Sequence, residues 1–263
     1  MAVVTRPVVG IRSGPGTRRE LVSQQLWGRR LAVLEKRGDW LRCEAPDGMA
    51  GWVPESALAS ATPYEPTHVI IPRFAALRRG KRGDLLLPMG SLLAIEKVSG
   101  GTARVRAPDG STGRVKAGAL AGLKAGRVGP SKPPGPARAR TRLGQLIPEV
   151  IGTPYLWGGR STFGFDCSGL VQASYEFLGV ALPRDSCDQA KRGRRVKSAE
   201  SLRPLDLVFF GSGERIDHVA IHLGDLAILH ASGYVRLESL KPGGAAFRED
   251  LRERFAWATR PIT

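Results

Sequence analysis

The sequence is short of cysteine, histidine and aromatic residues, and it has no long apolar run. Its three cysteines, Cys43, Cys167 and Cys187, are dispersed over 263 residues. An odd, widely spaced set builds neither a disulfide framework nor a zinc site, so no metal and no cofactor is expected. No apolar stretch approaches the roughly 18 residues of a membrane span, so membrane insertion is not expected either. The opening residues, Met-Ala-Val-Val-Thr-Arg-Pro-Val-Val-Gly, lack a charged start followed by an unbroken apolar stretch and do not read as a secretory signal. The expected location is cytoplasmic, or extracellular or periplasmic for a chain that has lost a leader. Acid is scarce too: 24 Asp and Glu against 40 Lys and Arg give a formal charge of +16. Such a surface attracts anions, whether nucleic acid, acidic lipid or carboxylate-rich wall fragments. The charge is spread along the chain without an aromatic-interleaved basic module, so it reads as a solvated face and not as a nucleic-acid site.

What is present divides the chain. Residues 1–60 are strand-like, with Gly and Pro punctuating short runs of Val, Leu and Trp. The sequence Ala45-Pro-Asp-Gly48 returns as Ala107-Pro-Asp-Gly110, an offset of 62, and Gly51, Val53 and Ala57-Leu58 return as Gly113, Val115 and Ala119-Leu120. Two copies are too few for a solenoid, so each is expected to be a small closed all-β barrel, over 1–60 and 61–125. Trp40 and Trp52 of the first copy have no counterparts in the second and read either as barrel core or as ligand contacts. Residues 126–142, with five basic residues, four prolines and no acid, read as a basic linker. A third domain over 143–263 opens with a helix from about Leu143 to Ile151. A second helix follows Cys167, then strands near 207–211, 218–223, 227–231 and 234–238, which together predict an α+β domain.

Chemistry concentrates around Tyr155-Leu-Trp-Gly-Gly-Arg-Ser-Thr-Phe-Gly-Phe-Asp-Cys-Ser-Gly-Leu170. Leu170, Val171, Ser174, Phe177 and Leu178 recur at helical spacing, with Gly179 as the stop, so Cys167 sits at the first helical turn. Free backbone N–H groups and the helix dipole favour a thiolate there. A small buried apolar cysteine is the competing reading; Cys43, in a strand pattern after Trp40-Leu-Arg, reads as core, and Cys187 as an ordinary packing residue with a redox partner of Cys167 as the alternative. Of four histidines, His218, His222 and His230 lie within 13 residues. Cys167 is the candidate nucleophile, His218 the base and His230 the group that orients it, since a neutral imidazole accepts the N–H of another. Side chains alternate along a strand, so His218 and His230 share a face only if their hairpin has an odd loop. His222 shares that face but lies roughly 13 Å further along and reads as structural.

Asp166-Cys-Ser-Gly-Leu170, His218-Val-Ala-Ile and Leu229-His-Ala resemble, in order and spacing, the NlpC-type cell-wall peptidases, which are papain-like cysteine peptidases of bacteria. The resemblance covers about residues 142–263 and departs at Leu205-Asp206, where the family usually has Gly-Asp before a strand. Separately, Gly38-Asp-Trp40 and Gly51-Trp-Val53 of the first copy resemble the signatures of bacterial SH3-like domains, so the two resemblances together imply two N-terminal SH3-like barrels followed by an α+β papain-like catalytic domain. The peptidase resemblance also implies a Cys167, His218, His230 catalytic set, with Tyr155 reaching the oxyanion region. Pro183-Arg-Asp-Ser186 resembles the members that take short peptides with a free amine, where Asp185 would meet the substrate ammonium. Trp157, Asp166, Ser168 and Ser186 are further substrate-binding candidates, against wall-packing, cap or turn roles. The implied activity is hydrolysis after γ-D-glutamate in murein peptides with a free N-terminal L-Ala, as in peptidoglycan recycling. The alternatives are a secreted wall endopeptidase with wall-binding barrels, a different acyl transfer at the same site, and a non-enzymatic anion binder.

Overall fold

The computed structural model describes residues 1–61, 64–124, 126–212 and 215–262; the domain boundary expected at 125 and the end at 263 lie outside them. The chain forms two compact units. One comprises Met1–Val128 with Trp157–Phe163, the other Gly129–Leu156 with Gly164–Thr263.

The first unit is built from short strands with alternating burial. Its leading sheet runs, in spatial order, Leu21–Leu26, Val8–Arg12, Ala50–Pro54, Trp40–Glu44, Arg30–Arg37, Ala2–Val4 and Leu58–Ser60. A five-stranded sheet follows in the order Thr112–Lys116, Thr102–Arg106, Leu92–Ser99, His68–Ile70 and Leu120–Gly122, with the pair Phe74–Leu77 and Leu85–Pro88 beside it in the chain. The strands at 30–37, 40–44, 50–54 and 58–60 return at 92–99, 102–106, 112–116 and 120–122, the sequence offset of 62 throughout. The turns return too: Asp47 Oδ1 accepts the Met49 N–H at 3.1 Å, and Asp109 Oδ1 accepts the Ser111 N–H at 3.0 Å.

The copies are not independent. One core gathers Val4, Val9, Ile11, Leu31, Leu41, Cys43 and Val53. The other gathers Ile70, Leu77, Leu87, Leu93, Val105 and Val115 around Trp27, a fully buried residue of the first copy. Gly28 lies against Leu92 so closely that a Cβ would stand 2.2 Å from the Leu92 carbonyl oxygen, and its φ is +76°. Glycine is therefore required at that junction. Trp52 is buried, with the Arg37 guanidinium 5.0 Å from its ring centre, whereas Trp40 is only partly buried. The segment Trp157–Phe163 belongs to this unit through specific bonds. Gln24 Oε1 accepts the Arg160 N–H at 2.9 Å and the Ser161 hydroxyl at 3.0 Å, and Phe163 meets Phe74 at 4.7 Å between ring centres.

In the second unit, helix α1 spans Pro136–Val150, which corrects the sequence expectation of a linker to 142 and a helix from 143. Pro136 supplies the pre-set φ of a first helical residue, Ala-Arg repeats propagate well, and Ala139, Leu143, Leu146 and Val150 form one buried stripe. The arginines that look like linker are the solvated face of this helix. Helix α2 spans Cys167–Phe177, α3 Ser186–Gln189 and α4 Glu249–Glu253. Gly179 ends the α2 segment at φ +79°, and a Cβ there would meet the Pro130 carbonyl at 2.4 Å.

Six antiparallel strands form the sheet: β1 Arg194–Val196, β2 Leu207–Ser212, β3 Arg215–Gly224, β4 Ala227–Ser232, β5 Tyr234–Ser239 and β6 Phe255–Arg260. Their spatial order is β1, β6, β2, β3, β4, β5, so the last strand of the chain enters the middle of the sheet. Val208, Phe210, Ala220, Ile228, Leu240 and Ala258 form the core on one side. At the turn into β2, Leu205 has φ +76°, where the family resemblance expects glycine. A leucine in that region costs roughly 1–2 kcal/mol. It is held by full burial of its side chain, by its N–H donating to the His222 carbonyl at 2.7 Å, and by the Tyr175 hydroxyl donating to its own carbonyl. Asp206 beside it is completely buried and pairs in two-pronged fashion with Arg260, at 2.7 Å on each oxygen. Among the described residues no helix is long and apolar enough to cross a membrane.

Candidate active site

Cys167 is the first residue of α2, and Asp166 is its N-cap. The Asp166 carboxylate accepts the Gly169 N–H at 2.6 Å, the Ser168 hydroxyl at 3.2 Å, and two N–H groups of Arg184 at 2.6 and 3.1 Å. Arg184 also donates to the Ser168 hydroxyl at 2.8 Å. All three side chains are buried. The network fixes the start of α2, and with it the cysteine, by satisfying helix-end N–H groups that burial would otherwise leave orphaned. Asp166 and Ser168, substrate candidates on the sequence, therefore hold the frame of Cys167.

The Cys167 sulfur receives the backbone N–H groups of Val219 and Ser168. This places it against β3 at Val219, the residue that follows His218 in the chain. Burial, with the Asp166 carboxylate adding to it, nevertheless pushes the thiol up to about 11. Desolvation outweighs those donors and the nearby arginine, so the helix N-terminus favours the thiolate without by itself producing it. Burial likewise pushes His218 down to about 3, helped by His230 and by the Arg254 and Arg248 guanidinium groups. Both shifts favour the uncharged forms, a thiol and a neutral imidazole. A proton passed from the sulfur to His218 would create two opposite charges together, each offsetting the other's desolvation.

His218 Nε2 and His230 Nδ1 stand 2.8 Å apart, with the rings edge to face. The register shows how they meet. Ile221 pairs with Leu229 and His222 with Ile228, a bulge follows between His222 and Gly224, and Gly224 pairs with Ala227 around a two-residue turn. Asp225 and Leu226 of that turn both have positive φ, as a tight hairpin requires. The bulge at Leu223 supplies the odd residue that parity demands. His222 is 2% exposed, and its Nε2 accepts the Leu226 N–H at 3.2 Å, so it braces the turn. His230 is fully buried, and its other nitrogen, Nε2, meets Glu238 Oε2 at 2.7 Å.

Tyr155 is partly buried, its N–H donates to the Gly233 carbonyl at 2.8 Å, and the phenol lies near enough to Cys167 and Asp166 to feel their charge. Burial first, then those charges, push its pKa up to about 12, so it remains a donor through the neutral range. Trp157 is 63% exposed and falls in the other unit, where its Nε1–H donates to Glu20 at 2.9 Å. This removes the wall-packing reading. Asp185 is exposed at the N-cap position of α3 without capping it, and Ser186 begins that helix, partly buried. Cys43 is core in the first unit, and its thiol is raised to about 11 by burial; Cys187 is exposed and does not pack. Among the described residues no three His, Cys, Asp or Glu side chains are grouped to hold a metal ion.

Two residues escape a reading of the sequence. Arg184 is hidden because its partner lies 18 positions away, across two loops. Glu238 needs the β4–β5 register, in which His230 faces Arg236 and Ile228 faces Glu238, to be seen on the histidine's face. The strict alternation of Arg236 and Glu238 is the local signal for it.

Comparison with known proteins matches residues 152–252 to the NlpC/P60 family and residues 11–58 to the bacterial dipeptidyl-peptidase Sh3 domain. A gamma-D-glutamyl-L-lysine dipeptidyl-peptidase of Bacillus subtilis is 28% identical over 236 residues, covering 84% of this chain and 75% of that protein. The peptidoglycan endopeptidase RipB of Mycobacterium tuberculosis is 38% identical over 122 residues, 40% of this chain and 50% of its own length. A crystal structure of an NlpC/P60 family protein from Bacillus cereus has a TM-score of 0.86 over 100% of this chain and 99% of that one. At 23% identity this last likeness bears on the fold alone.

Proposed function

We propose, from the premise that this chain is a cell-wall cysteine peptidase with an NlpC/P60 catalytic domain behind an SH3-type domain, that it hydrolyses the bond after γ-D-glutamate in free murein peptides bearing an N-terminal L-Ala amine. The observation that carries this reading is the extent of one similarity. The dipeptidyl-peptidase match runs through 84% of the chain and so takes in the N-terminal unit as well as the catalytic boxes. The endopeptidase match, by contrast, is confined to 40% of it. The duplicated strand set at 92–122 supports a second SH3-like barrel.

In the reaction, Cys167 Sγ attacks the γ-carbonyl as its proton passes to His218. Tyr155 and the α2 N-terminus face the developing oxyanion. His218 then gives the proton to the leaving amine of the diamino acid, leaving a thioester between Cys167 and the glutamyl carbonyl. Water, deprotonated by His218, cleaves that thioester and frees L-Ala-γ-D-Glu and the thiol. Asp185 accepts the substrate ammonium. A free L-Ala amine exists only once the lactyl link to the glycan has been cut, which places the reaction downstream of an amidase-type step, as in recycling.

Asp185 is exposed, so its effect belongs at the low end for a hydrogen bond to a charged group. Wild-type enzyme is expected to cut L-Ala-γ-D-Glu-L-Lys at least about tenfold better, in kcat/KM, than the same peptide with its amine acylated. Asp185→Asn is expected to erase most of that preference by losing activity on the free-amine peptide only. Rates on synthetic peptides, followed by mass, make the check. Equal wild-type rates on both peptides would replace this reading with a general wall endopeptidase, and a uniform loss in Asp185→Asn would leave Asp185 a loop residue.

A further inference from the structure

The hydrogen-bond chain behind the nucleophile does not end at His230. Across the β4–β5 pair, Glu238 lies diagonal to His230 on the same face, within reach of a long side chain. Its Oε2 meets His230 Nε2 at 2.7 Å. The carboxylate is itself held. Arg248 NH1 donates to the same oxygen at 2.7 Å, and Arg236 Nε lies 3.1 Å from Oε1. Only 9% of the Glu238 side chain is exposed. Arg248 is in turn tied down by both oxygens of Asp250, at 2.7 Å each.

These contacts have one consistent pattern of protons. A carboxylate between two guanidinium groups only accepts, so the His230 proton must sit on Nε2. Nδ1 is then bare and must accept, which obliges His218 to carry a proton on Nε2 and leaves Nδ1 as its basic nitrogen. The opposite tautomer of His230 would set its bare Nε2 lone pair against a Glu238 carboxylate oxygen at 2.7 Å, and its Nδ1–H would oblige His218 to accept on Nε2 and carry its proton on Nδ1, leaving no basic nitrogen there.

We propose that Glu238 is a positioning residue for catalysis, the fourth member of a Cys167–His218–His230–Glu238 chain, which fixes the tautomer of both histidines and stabilises the imidazolium formed at His218. Arg248 and Arg236 orient the carboxylate. The charged groups around the pair take sides. Arg248, Arg254 and Arg236 oppose imidazolium formation, whereas Glu238, Asp250 and, once it forms, the Cys167 thiolate favour it. The inference rests on the cysteine–histidine chemistry of the site and is independent of which peptide is cut.

The experiment reads Cys167 itself. Iodoacetamide labelling of Cys167, followed at its own tryptic peptide so that Cys43 and Cys187 do not interfere, is measured against pH in wild type and Glu238→Gln. The variant keeps an acceptor of the same shape and loses the charge. Labelling at neutral pH is expected to fall about 10- to 100-fold, and the limb of the profile that reports His218 to move to lower pH. In a His230→Asn background the same Glu238→Gln change is expected to add nothing, because it acts through the ring already removed. A profile unmoved in position, or an equal loss in both backgrounds, would make Glu238 a packing residue and overturn the proposal. Nitrogen-15 shifts of the wild-type imidazoles provide a test that needs no variant. His230 protonated on Nε2 and bare on Nδ1 is the expected pattern, and the reverse overturns the proposal even if Glu238→Gln does not fold.

Discussion

Alanine at position 167 is expected to abolish hydrolysis of murein peptides, and alanine at position 218 to do nearly the same, each by about 10⁴- to 10⁶-fold in kcat, while the protein stays folded. Cys167 places its sulfur at the α2 N-terminus against β3, with the Val219 and Ser168 N–H groups on it. In the proposed mechanism His218 is the base, with Nε2 on His230 and Nδ1 left to take the proton. The two losses should not add, because each removes the same covalent step. His230→Ala should cost less than either, since that ring touches the base and not the substrate. Folding is spared because Cys167→Ala deletes one sulfur from a capped helix and His218 is only partly buried. Steady-state kinetics beside circular dichroism make the check. A folded Cys167→Ala protein with near-normal turnover would end the cysteine-peptidase mechanism.

The largest expected loss of stability is at Asp166. Alanine there removes the cap of α2 and strands Arg184, whose side chain is 2% exposed, without its partner. Breaking one side of a buried pair costs about 3–5 kcal/mol, and a lost cap about 1 kcal/mol more. Asp166→Asn should fall between alanine and wild type, because asparagine still caps while the charge is gone. The double change Asp166→Ala with Arg184→Leu should recover part of the loss, since no uncompensated charge is then left buried. Urea unfolding followed by far-ultraviolet circular dichroism suits the measurement, because the longer α-helices, α1 and α2, both belong to the second unit. A single Asp166→Ala variant within about 0.5 kcal/mol of wild type would contradict the framing role given to the network.

The sequence was most legible where the signal is local. The cysteine before a 3.6-residue apolar pattern placed Cys167 on the first turn of a helix, and the structure puts it there. Strand alternation placed β2 to β5 within two or three residues at their ends, and parity demanded an odd residue in the β3–β4 hairpin, which arrived as the bulge at Leu223. The offset of 62 was legible because a duplicated sequence repeats its turns. What escaped has the opposite character. Arg184 and Glu238 acquire roles only through partners on other elements, and β6 enters the sheet between β1 and β2 from the far end of the chain. The Arg-rich start of α1 looked like linker because its apolar stripe is thin and its other positions are charged. Residues Trp157–Phe163, flanked on both sides by catalytic-unit sequence, belong to the other unit through Gln24, Glu20 and Arg73. No local pattern encodes a partner more than 80 positions away.

The central claim is that this enzyme cleaves a γ-D-glutamyl bond through a Cys167 acyl-enzyme. One measurement meets it head on: incubation with L-Ala-γ-D-Glu-L-Lys in water enriched in oxygen-18, with every product identified by mass. The expected result is L-Ala-γ-D-Glu carrying one heavy oxygen on its γ-carboxyl, together with free lysine, and no product at all from Cys167→Ala. Release of L-Ala from γ-D-Glu-L-Lys, or cleavage that persists without the Cys167 thiol, would contradict it.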